Sequence, residues 1–178
     1  MSIVKKWTSC VVSFIAGVLG LALSACSGMV VKIDALKVKE TTKAFKVITD
    51  ADLYKDAKTA GTGTEFLWLK VFAIITLIIS ILLIVYAIVM LLKNLDVIKS
   101  SSNVFDYIGY AVIALFLVAT IGLMITSNTF ASETEALAAN PMFKVVVSVG
   151  AYQPIMLTVA IISAVAVAVV EFFKKKSK

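Results

Sequence analysis

The chain has 178 residues, of which 61% are hydrophobic and 16% charged. A soluble domain averages about 45–50% apolar and ~25% charged residues, and a chain this short cannot hide the excess in a water-soluble core. Its net charge of +6 comes from lysine alone, with no arginine and no histidine, which removes the usual proton shuttle, the commonest metal ligand and bidentate phosphate recognition.

The bilayer is therefore the expected solvent and the lipid the first expected partner. Nucleic acid is not an expected partner, because the lysines sit at the edges of apolar runs and in one loop, without interleaved arginine. The composition predicts an all-α membrane protein, a four-transmembrane-helix bundle with a small extracytoplasmic lobe. Four apolar runs carry this reading, with spans at about 10–31, 66–92, 106–127 and 145–172. Each holds the roughly 20 apolar residues that a ~30 Å hydrocarbon core requires. Each is continuously apolar rather than alternating, so helices are expected and not barrel strands. The outer loops are 32–65 and 128–144, and the inner loop is 93–105. The whole is one integral membrane domain.

The first run opens after Lys5 and Lys6 and contains "LALSACSG". Leu23-Ser24-Ala25-Cys26 resembles the lipobox of bacterial lipoproteins. That resemblance covers residues 1–26 and implies cleavage before Cys26, acylation of its thiol and a mature chain with three spans. The alternative, favoured here, is an uncut first span whose apolar run continues to Val31. Ala16, Gly20 and Ser24 then recur every four residues as a helix-packing face. Cys10 and Cys26 lie 16 residues apart, about 24 Å along a helix, which is too far for a disulfide.

In the outer segment, 31–35 alternates as a strand, and "KAFKVIT" alternates as a second strand, giving a β-hairpin. Asp50 is placed to cap a short helix through Lys58, before a Gly61-Thr62-Gly63 hinge. Asp50, Asp52 and Asp56 do not make a calcium loop, because positions six and twelve are Lys55 and Gly61. The second span begins after Thr64-Glu65, and the third after an Asn103/Asp106 capping pair, with Ala111, Ala114 and Gly122 on one side. Ser132-x-x-Glu135 reads as a capping box opening a separate short helix that Asn140-Pro141 stops. In the fourth run, Gln153 and Pro154 mark a kink, with the amide available to a carbonyl that the proline frees. Ala160, Ala164 and Ala168 form a second small-residue face.

No ionisable residue lies at the centre of any of the four runs, which argues against a proton- or sodium-coupled carrier. No P-loop, HExxH or nucleophile-elbow motif occurs. No catalytic residue, cofactor or metal is expected, and the chain is not expected to be an enzyme. Lys5, Lys6 and the lysines at 174–176 and 178 favour both termini in the cytoplasm of a multi-pass cell-membrane protein. The layout resembles that of claudin-type four-span proteins. Their first outer loop carries a tryptophan motif and a cysteine pair that 32–65 lacks, so no residue is carried over. The function expected is that of an accessory or scaffold subunit, packing against other membrane proteins or copies of itself and presenting the lobe. A small oligomeric channel is the alternative from a different class.

Overall fold

The computed structural model describes residues 2–33, 38–98, 104–138 and 145–176. Six helices and three strands follow in the order α1 (Ser2–Leu23), β1 (Ser27–Ile33), β2 (Val38–Lys43), α2 (Ala44–Thr49), α3 (Ala51–Thr59), α4 (Gly63–Asn94), α5 (Val104–Leu137), β3 (Val145–Val149) and α6 (Tyr152–Lys176). The chain is mostly helical. Among the described residues three helices are long and apolar enough to cross a membrane: α4, α5 and the Tyr152–Val170 part of α6. The apolar part of α1, Trp7–Leu23, is shorter.

The four long helices pack side by side in the cyclic order α1–α4–α5–α6. Each buries one stripe. On α1 the stripe is Cys10, Ser13, Ala16, Gly17 and Gly20, spaced three and four residues apart as one helical face requires. Leu83, Phe116, Met156 and Ala160 fill the interior and are fully buried. The opposite faces stay apolar, with Ile81, Leu82, Leu115, Val118, Ile162 and Val165 all exposed.

The lobe covers the end of the bundle where α1 finishes and α4 begins. The first run stops being helical earlier than its hydropathy suggests. Cys26 N–H donates to Leu23 O at 2.8 Å and Ser24 Oγ donates to Leu21 O at 2.6 Å, closing the helix with a turn. Residues 27–31, expected to complete the first span, are instead the start of β1. This strand is the centre of an antiparallel sheet ordered β2-β1-β3. Val31 pairs with Glu40 on one side and Val147 on the other. β3 likewise takes residues 145–149 out of the expected fourth span. Hydropathy cannot separate these segments from the helices they adjoin, since a buried central strand is as apolar as a span.

The expected second strand at "KAFKVIT" is a helix. Ala44 and Val47 are buried in α2, Ile48 packs against the core beside them, and Lys46 reaches Asp50 at 3.9 Å across one turn. Spacing of i, i+3, i+4 fits that face, whereas the alternation read over so few residues is ambiguous. The strand lies just upstream, at β2. Asp50 does cap α3, its side chain accepting from the N–H groups of Asp52 (3.0 Å) and Leu53 (3.4 Å).

α5 runs unbroken to Leu137, so the separate helix expected from Ser132 does not exist. Ser132 Oγ donates to Thr129 O at 2.9 Å, as a mid-helix serine does, and caps nothing. Asn103, Asn140 and Pro141 lie outside the described residues. α5 is therefore 34 residues long, about 51 Å, and reaches past the bilayer thickness into the lobe.

Candidate functional site

Two regions gather the residues singled out by sequence: the seam where α1 lies on α4 and α6, and the junction between bundle and lobe. At the seam, Ala16 and Gly20 are buried as part of the packing stripe. A side chain at Gly20 would meet the Ser80 hydroxyl, with Met156 Cε at 3.4 Å. Gly17 approaches backbone: a Cβ there would sit 2.7 Å from the backbone oxygen of Ser80 and 2.6 Å from Ile84 Cγ1. Cys10 Sγ donates to Ala87 O at 3.1 Å, and the hydroxyls of Ser9 and Tyr86 are 3.0 Å apart. Close backbone approach plus interhelical hydrogen bonds is how helices associate where hydrophobicity gives no preference. Ser24 is not on this face, because α1 has ended by Leu23.

The alanine stripe of α6 diverges from its buried face. Ala160 is buried, Ala164 half-buried and Ala168 exposed. A four-residue step advances the helix by about 400°, so each repeat drifts ~40° around the axis. The face in contact is Met156, Ala160, Ser163 and Val167. On α5, Ala111 and Ala114 are exposed, and Gly122 alone of that set makes a close approach, against the Phe72 ring.

Most buried hydroxyls of the bundle bond within their own helices, whereas Tyr86 meets Ser9 across the seam and Ser13 Oγ and Tyr152 OH have no partner among the described residues. Thr76, Ser80, Ser127 and Ser163 donate to the carbonyl four residues back at 2.6–2.8 Å. These four form no chain of groups across the bundle. Among the described residues no group of three or more His, Cys, Asp or Glu side chains comes together to hold a metal.

At the junction, Pro154 does not kink α6. The first helical N–H is that of Ile155, which donates to Ala151 O at 3.3 Å. Pro154 precedes it in the first turn, where a missing N–H costs nothing. Gln153 is buried and does not serve a carbonyl of its own helix. Its Nε2 donates to Gly28 O in β1 at 2.7 Å, while its Oε1 has no protein partner among the described residues. The Gly150 N–H donates to the same Gly28 carbonyl at 3.0 Å, and a side chain at Gly150 would collide with the Ser27 carbonyl. Strand β1 is thus fastened directly onto the start of α6. Cys26 lies in the turn ahead of it, half-buried, with its carbonyl accepting from Ala44 N–H at 2.9 Å. Cys10 and Cys26 are both free thiols.

Between the sheet, α3 and the adjoining ends of α4 and α5 lies a cavity of about 280 Å³. Met29, Val47, Leu53, Phe66, Phe130 and Val147 supply its apolar walls. Phe66 and Phe130 meet edge to face with centroids 5.3 Å apart, and Tyr54 stacks near Phe66 at 6.3 Å. Thr62 and Thr134 also line it, but their hydroxyls donate to Ala57 O and Phe130 O. Asp56, an exposed residue, is the only charged side chain in the lining among the described residues. Sequence reasoning missed this cavity because its walls come from β1, β2, β3, α2, α3, α4 and α5, which only the fold assembles. The polar turns beyond residue 126 on a helix that does not stop are the one local hint.

No known family, no curated protein and no solved structure matches this chain.

Proposed function

We propose that this is a non-catalytic, four-pass membrane protein of the cell membrane. It serves as an accessory or scaffold subunit that packs laterally against other membrane proteins and presents the β2-β1-β3 lobe outside. Both termini are then cytoplasmic, since the ends of α1 and α6 remote from the lobe carry the terminal lysines. α1 is included as the fourth span. Its full 22 residues measure about 33 Å, and its small-residue face meets α4 at backbone distance.

The observation that carries the reading is the division of each helix into two faces. Among the described residues the inner faces are filled by Leu83, Phe116, Leu123 and Met156. The outer faces are predominantly apolar, with Thr158 exposed on α6 and Lys70 half-buried near the start of α4, and are free to meet lipid or a neighbouring span. An uncut chain is part of the proposal, because cleavage before Cys26 would remove α1 and strip the cover from Gly17's and Gly20's partners on α4.

Crosslinking in native membranes followed by purification in mild detergent tests this. A second copy or a partner trapped on the outer faces is the expected result. A monomer with no trapped neighbour overturns it, and ion flux from reconstituted liposomes points instead to a channel between copies. The intact mass of the recovered chain decides Cys26: loss of residues 1–25 with a lipid adduct means a three-span lipoprotein.

A further inference from the structure

The cavity under the lobe is an apolar chamber at a particular depth. Trp68, 55% exposed, lies two residues along α4 from Phe66 in the chamber wall, and tryptophan marks the water–lipid interface. On α5 the continuous apolar run reaches Ile125, and Phe130 is five residues beyond it, about 7–8 Å. That distance falls within the headgroup layer, roughly 5–8 Å on each side of the hydrocarbon. The chamber is therefore within reach of lipid tails.

Its chemistry selects the occupant. Water placed there finds few partners, because of the three threonines in the lining Thr62 and Thr134 already donate to backbone carbonyls, leaving Thr42 and Asp56 as polar neighbours, and an ordered water needs about 2–4. An empty chamber leaves its walls without dispersion contacts on one side. At ~30 Å³ per water or methylene-sized group, the volume matches roughly nine methylenes. Asp56 at the lining disfavours a bare carboxylate or phosphate monoester beside it. We propose that the chamber holds one acyl chain of a membrane lipid with a neutral or zwitterionic head, lodged between the sheet and the ends of α4 and α5. The proposal rests on the reading of α4 and α5 as spans with the lobe against the bilayer surface.

Photolabelling of the full chain in phosphatidylcholine vesicles, with a phosphatidylcholine carrying a diazirine at its chain terminus, separates the two. Peptide mapping is expected to find adducts at Val47 or Leu53 in the lobe as well as at Ile81 and Ile88 on the outer face of α4. Filling the chamber with Val31→Phe, or from the opposite wall with Thr134→Phe, should cut the lobe adducts about tenfold, the equivalent of ~1.4 kcal/mol. Adducts at Ile81 and Ile88 should be unchanged in both variants. Labelling of α4 without the lobe overturns the lipid site while leaving the spans intact. Lobe labelling that persists undiminished in both variants marks surface reaction and overturns it too. Labelling of neither region removes the membrane placement itself and the proposal with it.

Discussion

Gly17→Ala tests the seam that holds α1 on the bundle. The added methyl would lie 2.7 Å from the Ser80 carbonyl oxygen and 2.6 Å from Ile84 Cγ1, where ordinary contact begins near 3.4 Å. Ile84 can turn aside, but the Ser80 oxygen belongs to backbone. Relief therefore requires α1 to withdraw by about 0.7 Å, a gap that forfeits a quarter to a half of each contact's attraction. With roughly forty atom pairs at ~0.15 kcal/mol each losing about a third, the cost is ~2 kcal/mol. The better helix propensity of alanine returns ~1 kcal/mol. The net ~1 kcal/mol multiplies the population with α1 detached about fivefold. Cys10 reports that population, since its thiol is buried against Ala87 O. In a Cys26→Ser background, N-ethylmaleimide should label Cys10 about fivefold faster in Gly17→Ala than in the parent. Val18→Ala, on the outer face, should leave the rate unchanged. Equal labelling rates and equal melting temperatures in Gly17→Ala and its parent would refute the close packing of α1 on α4.

Three further outcomes are expected. Gln153→Leu removes the 2.7 Å bond to Gly28 O in a buried site, which should lower thermal stability by ~1–3 kcal/mol and speed proteolysis of the lobe before that of the bundle. Asp50→Ala strips the cap of α3 and should cost ~1 kcal/mol in a denaturation midpoint, with Asp50→Asn largely restoring it. Pro154→Ala should change stability by no more than about 0.5 kcal/mol by the same measurement, because the residue precedes the first hydrogen-bonded turn. A large loss there would show that the proline shapes α6 after all.

The sequence by itself determined the number of apolar runs, their fitness for lipid and the absence of charge from their centres, because transfer to lipid depends on composition over about 20 residues and hardly on neighbours. It also placed the α3 cap at Asp50, which is a contact between residues two and three apart. Only the tertiary structure decided where an apolar run stops being helix. Residues 27–31 and 145–149 are apolar on either account, and they are strands because each finds the other, 118 residues away at Val30 and Ser148. Partnership likewise decided which small residues pack. Gly17 and Gly20 do so because Ser80 lies opposite, while Ala168 follows the same spacing and faces outward. A side chain's helical neighbours are written in the chain within four residues, but a strand's partner, a cavity's far wall and the helix across a seam are set by the free energy of the whole packed arrangement.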